Sequence, residues 1–401
     1  MYRIGEEEIQ AVAEVIRSKE FYRGNGGPIR AVQHFEQELK EYAGTKFAFS
    51  LTSGKGALIC ALVGMGVGPG DEVIIPAYTY IATALSVLAV GAIPVIVNID
   101  ETLGIDPIEI EKNISKHTKA IIPVHMRGIP SNMDAIMAIA EKHNLYVLED
   151  ACQALGASYK GKKLGSIGHA GATSFNCYKN ITAGEGGGLM TNDSEIFQKA
   201  FIHHDSSGAR WLGSELDGFT VEECSGNEYR ISDISGAILR VQLKRLDGIV
   251  ADLRKNKFKV VDALKDTGLK LIPSNDIEGD CGNVMAFRFD NEEIADKFAN
   301  AVNENAKEAP VVRAETLKNI GKHIATSWDQ VINKRGAFND KMNPYLMKAN
   351  KKLRLNYKPE ESAKSVAILK RTIIVNVNPD WTEEQIAKAI EILSKSAKEV
   401  F

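Results

Sequence analysis

The sequence predicts an α/β protein, with a large unit over residues 1–250 built on a mostly parallel, doubly wound sheet and a smaller α+β unit over residues 251–401. Three observations predict it. Between residues 46 and 148, segments of strand length alternate with segments of helix length, the pattern of strands joined by helical crossovers that cover both faces of a sheet. After residue 257 the order changes to strands and helices in mixed succession. The chain of 401 residues, 44% of them hydrophobic, is long enough to bury a large core and divide into two units.

Each element has its own signal. Residues 6–19 read as a helix because Ile9, Val12, Ala13 and Ile16 fall at helical spacing. Gly24, Gly26 and Gly27 break it within residues 21–28, and a second helix, 29–43, places Val32, Phe35, Leu39 and Tyr42 on one face. A strand at 47–51, the turn Thr52-Ser53-Gly54 and a helix at 55–65 follow. Strands at 72–75, 94–98, 120–124 and 145–148 then alternate with helices at 79–90, 107–113 and 132–143. A long helical segment, 231–257, precedes strands at 270–272, 284–289 and 372–377 and helices at 292–302 and 382–396. Residues 309–359 are long, polar and dotted with Trp328, Phe338, Tyr345 and Tyr357; loops of that length are usually functional or mobile. No internal repeat or low-complexity tract is present.

Composition narrows the partners. A formal net charge of -3 gives no bulk reason to bind nucleic acid or an anionic membrane, so a small molecule is favoured. The five cysteines are scattered, without a Cys-x-x-Cys pair, and the adjacent His203-His204 has no cysteine at zinc-ligand spacing, which argues against a metal site and a disulfide framework. No apolar run approaches about 18 residues, and the N-terminus is acidic. A cytoplasmic, non-membrane protein is expected.

One stretch stands out. An apolar run at 170–175 leads into a polar loop with Lys179 at its centre, and Gly184, Gly186, Gly187 and Gly188 lead out to Leu189 and Met190. That is a strand, a loop and a strand, with glycines allowing close backbone approach to something flat.

The run Ser174-Phe175, Lys179-Asn180-Ile181-Thr182 and Gly184-Glu185-Gly186-Gly187 resembles the Schiff-base segment of the DegT/DnrJ/EryC1/StrS aminotransferases, pyridoxal-phosphate enzymes of fold type I, the aspartate aminotransferase-like fold. The resemblance implies that Lys179 holds the cofactor. Glu149-Asp150-Ala151-Cys152-Gln153 resembles the family's Glu-Asp-Ala-x-Gln, in which the aspartate partners the pyridine nitrogen and the glutamine faces the cofactor hydroxyl. Residues 76–83 resemble the segment whose aromatic residue, here Tyr80, stacks on the ring. Further likeness runs through Pro123-Val124-His125-Met126-Arg127-Gly128, Met133-Asp134 and Tyr229-Arg230-Ile231-Ser232-Asp233, covering most of residues 30–260.

Physical chemistry agrees with these roles. Thr52-Ser53-Gly54 lies between a strand and a helix, where backbone N–H groups and the helix dipole face an anion, and Ser174 can add a hydroxyl. A phosphate-binding nucleotidase loop is disfavoured, because Ser53-Gly54-Lys55-Gly56 lacks the upstream glycine spacing and the following Ser or Thr. Asp150 follows a strand at the carboxyl edge where open sheets bind ligands, and a protonated pyridine nitrogen there makes the cofactor an electron sink.

Two departures bear on the resemblance. Lys55 stands where the family usually has threonine. The family's Gly-x-Asn-aromatic-Arg, whose asparagine reaches the neighbouring subunit's cofactor phosphate, reads Gly226-Asn227-Glu228-Tyr229-Arg230 here, so either Asn227 or Glu228 takes that place. A homodimer is implied.

The resemblance further implies amino transfer from glutamate or glutamine to a keto or aldehyde group of a sugar, octulosonate or cyclitol. Lys179 argues against the related sugar 3-dehydratases, which carry histidine there. A dehydratase, an aminotransferase for a nucleotide-linked keto sugar and a non-catalytic scaffold are the alternatives. For the substrate wall, residues 322–345 are expected to supply His323, Trp328 and Arg335, with Trp328 offering a flat face to a sugar ring.

Overall fold

The computed structural model describes residues 3–23, 27–205 and 218–401. Gly24 and Gly26, expected to break the first helix, lie outside the described residues.

Two amphipathic helices lead in, α1 (Glu6–Ser18) and α2 (Ala31–Ala43). Glu6, Glu7 and Glu8 occupy the first turn of α1, where negative charge suits the helix dipole. Val32, Phe35 and Leu39 are buried on α2, the face that the spacing predicts. The alternating region then runs β1 (Phe47–Leu51), α3 (Gly54–Gly64), β2 (Glu72–Pro76), α4 (Ala82–Ala89), β3 (Ile93–Val97), α5 (Pro107–Asn113), β4 (Thr118–Ile121), α6 (Met133–His143) and β5 (Tyr146–Asp150). A short hairpin, β6 (Ser158–Tyr159) and β7 (Lys162–Lys163), precedes β8 (Ala170–Ser174), β9 (Gly187–Thr191) and α7 (Ser194–His204).

The strands form a seven-stranded sheet in the order β1-β9-β8-β5-β4-β2-β3. β3, β2, β4, β5 and β8 pair in parallel, whereas β9 is antiparallel to both β8 and β1. The reversal follows from the connection: β8 and β9 are joined by a hairpin loop, which can only link antiparallel strands. Side chains alternate across the sheet. Val73 and Ile75 pack with α3 and α4 on one face, and Ile74 packs with α5 and α6 on the other. Helix α3 is buried along nearly its whole length between the sheet and α7.

The rest of the chain comprises α8 (Asp233–Ala263), β10 (Lys270–Leu271), β11 (Val284–Arg288), α9 (Glu292–Asn305), β12 (Ala314–Thr316), α10 (Asp329–Ile332), α11 (Ala363–Lys370), β13 (Thr372–Asn376) and α12 (Glu383–Lys398). A second, antiparallel sheet has the order β10-β11-β13-β12. Phe287 and Val375 of this sheet pack with Phe298 of α9 and Leu393 of α12.

Several elements differ from expectation, each for a physical reason. The expected division at residue 250 falls inside α8, which runs unbroken to Ala263. α4 starts at Ala82 rather than at residue 79, because the N–H groups of Thr79 and Ile81 donate to the carbonyls of His323 and Lys322, at 3.0 and 2.9 Å. Helix α7 went unread; Asp193 caps it by accepting from the N–H groups of Glu195 and Ile196.

Residues 317–362 fold as one-turn 3-10 helices with the short α10. They form a strap over the large sheet. Asn350 donates to the Gly91 carbonyl at 2.9 Å and accepts from Gly70 N–H at 2.6 Å. The buried Glu72 at the start of β2 takes the backbone N–H of Arg354 at 2.9 Å and its guanidinium at 3.1 Å.

Candidate active site

A cavity of ≈ 670 Å³ opens beyond the carboxyl ends of β1, β2, β5 and β8. Its lining includes Ser53, Gly54, Lys55, Tyr80, Asp150, Gln153, Ser174, Lys179 and His323, so the fold brings together residues from five separate stretches of the sequence.

Ser53 is the N-cap of α3, its hydroxyl accepting from Gly56 N–H at 3.0 Å. The turn is wedged between strands. A Cβ on Gly54 would lie 2.6 Å from Cys152 Sγ, and one on Gly187 would lie 2.3 Å from the Ser53 carbonyl carbon. Only glycine permits that approach, which brings the helix N-terminus into the cavity. Lys55 lines it too and has no ion pair among the described residues; burial lowers its amine pKa. A half-buried, unpaired cation on the first turn of a helix suits an anion.

Adjacent carboxylates on β5 have opposite environments. Glu149 is fully buried and saturated: its oxygens take Gly165, Ile167 and Gly168 N–H groups and His125 Nε2. Asp150 is 5% exposed, and among the described residues its carboxylate accepts only from Thr83 Oγ1 at 2.8 Å and Cys152 N–H at 3.2 Å. It has no cationic partner among the described residues. Thr79 Oγ1 lies 2.7 Å from Thr83 Oγ1, and since Thr83 gives its proton to Asp150, Thr79 donates to Thr83. Burial drives the neighbouring Cys152 thiol well up in pKa, so it stays neutral. Thr83 is a site residue that sequence reasoning missed; its signal was a hydroxyl three positions after Tyr80, at the start of α4.

Lys179 lies in the β8–β9 loop, its backbone N–H donating to Asn176 at 3.0 Å. The loop is braced from within. Thr182 Oγ1 donates to the Phe175 carbonyl at 2.9 Å and accepts from Gly184 N–H at 2.8 Å. Asn180 anchors its far side, donating to the Leu155 carbonyl at 3.0 Å. Gln153 Oε1 accepts from Arg127 N–H at 3.1 Å, which leaves the side-chain NH₂ as a donor toward the cavity.

Tyr80 is 50% exposed, with its ring 5.2 Å from that of His323. The backbone bonds that shorten α4 also hold these two rings together. His323 Nδ1 lies 3.2 Å from the Ile320 carbonyl, so Nδ1 carries the proton and Nε2 is an acceptor. Burial lowers the pKa of this histidine and keeps it neutral.

Two expected residues lie elsewhere. Trp328 does not line the cavity: it is wholly buried, and its indole N–H donates to the Lys322 carbonyl at 2.9 Å. A flat apolar side chain with one polar atom satisfied packs better in a core than in a wet wall. It buttresses the turn that carries His323 and offers no face to a sugar. Arg335 is likewise absent from the lining. Asn227 sits outside its own cavity, its amide 3.2 Å from His203 Nε2, while Glu228 pairs with Arg230 at 3.1 Å.

These features fit pyridoxal phosphate. The group needs an anion site, a buried negative charge for its ring nitrogen, a flat surface and an amine. The α3 N-terminus with Lys55, Asp150, Tyr80 and Lys179 could supply them in turn.

Comparison with known proteins agrees. The sequence model of the DegT/DnrJ/EryC1/StrS aminotransferase family matches residues 2–394. The chain is similar to the spore coat polysaccharide biosynthesis protein SpsC of Bacillus subtilis (strain 168), at 34% identity over 403 residues, covering 98% of this chain and 95% of the relative. It is similar to the L-glutamine:2-deoxy-scyllo-inosose aminotransferase of Streptomyces lividus, at 34% identity over 282 residues, 67% of this chain and 65% of the relative. Among solved structures it resembles the aminotransferase from Psychrobacter cryohalolentis, with TM-score 0.79 and 28% identity, covering 99% of this chain and 98% of that one.

Proposed function

The chain belongs to the DegT/DnrJ/EryC1/StrS aminotransferase family, and from that membership we propose that it carries an amino group from glutamate or glutamine to the keto or aldehyde carbon of a sugar, an octulosonate or a cyclitol. It is an aminotransferase, and its cofactor is pyridoxal phosphate. The observation that carries the site assignment is Asp150, a buried carboxylate without a cation among the described residues, in the same cavity as Lys179.

Bound there, the cofactor supplies a ring that takes up the electron pair left when a proton departs from the carbon bearing the amino group. Lys179 would hold it through Nζ. Freed when the amino donor enters, the same amine takes the proton from the donor carbon, and later delivers one to the acceptor carbon. Asp150, oriented by Thr83 Oγ1 and Cys152 N–H, keeps a proton on the ring nitrogen. Gln153 would donate through its free NH₂ to the ring hydroxyl, Tyr80 would cover one ring face, and Ser53, Gly54, Lys55 and Ser174 would receive the phosphate. His323 Nε2 accepts from a hydroxyl of the acceptor. The carbohydrate and cyclitol names of the relatives support an acceptor of that class.

We take the working unit to be a homodimer. Asn227, outside its own cavity and on the segment that resembles the family's crossover, suits a partner's phosphate. Five free cysteines fit a reducing cytoplasm. Among the described residues no helix is long and apolar enough to cross a membrane.

Borohydride reduction of the cofactor-loaded protein, then peptide mapping, tests the assignment. The pyridoxyl group should be found on Lys179; its appearance on another lysine overturns it. A crystal soaked with candidate amino-sugar products then identifies the acceptor.

A further inference from the structure

Arg127 has no place in the scheme above, yet it lines the cavity. Its backbone is left-handed, with φ 57° and ψ 21°, a conformation that costs a non-glycine residue about 1–3 kcal/mol. The surroundings hold it there. Arg127 N–H donates to Gln153 Oε1 at 3.1 Å, and Ile129 N–H closes the turn on the Met126 carbonyl at 3.0 Å. His125 locks the turn from beneath: its Nδ1 accepts from Ser131 N–H at 3.1 Å, so its Nε2 donates to the buried Glu149 at 3.1 Å.

The guanidinium that this turn presents is poorly satisfied. Nε is buried without a hydrogen-bond partner, and the nearest carboxylate, Glu315 on β12, stands 4.0 Å from Nη2. The buried Tyr78 hydroxyl interacts with this guanidinium, which offsets part of the rise that burial imposes on its pKa, but it forms no well-aligned hydrogen bond. A strained backbone holding an under-used cation over a cavity marks a ligand site.

The ligand follows from charge. Within one subunit the described residues place three basic side chains on the cavity lining: Lys55, Lys179 and Arg127. Lys55 belongs to the phosphate site and Lys179 to the cofactor. Every amino acid donor brings at least one carboxylate into this space, and guanidinium is the side chain whose fork of N–H groups matches a carboxylate.

We propose that Arg127 binds a carboxylate of the amino acid donor, with Glu315 as its resting counter-ion when no carboxylate of a bound molecule reaches it. This rests on the aminotransfer reading above. It explains how one cavity can hold the donor and then be emptied of it: the arginine exchanges one loose carboxylate for another instead of being stranded without a charge.

The test is the half-reaction of the cofactor-loaded enzyme with L-glutamate, followed by cofactor absorbance. Arg127→Gln should raise the apparent dissociation constant for L-glutamate on the order of tenfold to a hundredfold, change the limiting rate by less than about threefold and leave cofactor content unaltered. Arg127→Lys should recover part of the loss. Glu315→Gln should shift the constant the other way, tightening L-glutamate by about twofold to threefold. Opposite signs separate a substrate clamp from a structural ion pair. Both variants weakening L-glutamate alike, or Arg127→Gln leaving it unmoved while the parent responds, overturns the inference alone. A parent enzyme giving no absorbance change with L-glutamate or L-glutamine overturns the aminotransfer reading, and this inference with it.

Discussion

The two walls of the cavity are built in different ways. On the sheet side, Ser53, Asp150 and Ser174 stand at or just past the carboxyl ends of β1, β5 and β8, and Lys179 follows five residues after β8 ends. Each is positioned by a strand and the turn that leaves it, so its placement is local. The facing wall around His323 has only one-turn 3-10 helices and no strand of the large sheet. It is held by single bonds to distant residues: Thr79 and Ile81 to His323 and Lys322, Asn350 to Gly91, Arg354 to Glu72. The residues proposed for the chemistry sit on the wall fixed by periodic structure, and the wall proposed to face the acceptor is attached residue by residue.

The sharpest way to break this contrast is at Lys179. Lys179→Ala should lower turnover by at least about 10²–10⁴-fold while the unfolding midpoint stays close to that of the parent, measured without cofactor. An active variant would move the chemistry elsewhere. Trp328→Ala should act in the opposite manner, costing about 3–5 kcal/mol of stability in urea titration and weakening both half-reactions together. A variant of parental stability that loses only the acceptor half-reaction would restore the indole as a sugar platform.

Arg354→Ala strips the buried Glu72 of its charged partner and should cost about 1–3 kcal/mol. It also tests a pH dependence. Burial alone would raise the Glu72 carboxyl, but Arg354 and Ser115 hold it below its ordinary value. A carboxyl lowered on folding stabilises the protein above its unfolded pKa, and that gain is lost as pH falls through the folded value. The parent should lose stability from the ordinary carboxylate range downward, and Arg354→Ala should lose less over that interval. The smallest effect is expected from Thr83→Val, which removes one donor from Asp150 at nearly constant volume. Turnover should fall by about tenfold or less with cofactor retained; no change would show that Cys152 N–H orients the carboxylate by itself.

The same contrast governs what could be read from the sequence. The sheet-side residues were legible because each sits in a short run whose order along the chain reflects a strand, a turn and a helix. Thr83 closes the segment 76–83, yet nothing local shows that its hydroxyl faces Asp150. Helix α7 does carry local signals, a capping Asp193 and Ile196, Ala200 and Phe201 at helical spacing. The strap was illegible because its conformation follows from long-range bonds without periodicity. Trp328 illustrates the cost: sequence says that an indole is present but not whether its N–H finds a carbonyl, and here the Lys322 carbonyl takes it into the core. The left-handed backbone of Arg127 leaves no trace in residue type, since non-glycine residues adopt it only when the surroundings compel them.

Helix α8 has a consequence for how the chain comes apart. Its 31 residues span about 46 Å, starting beside α1 and α2 and ending against β11 and α12, with Ile249 and Leu253 on the cavity between. Melting either end exposes apolar surface at the other. Calorimetry should therefore record one heat-absorption peak whose calorimetric and van't Hoff enthalpies agree, and severing the chain at residue 250 should yield two fragments that fold only when mixed.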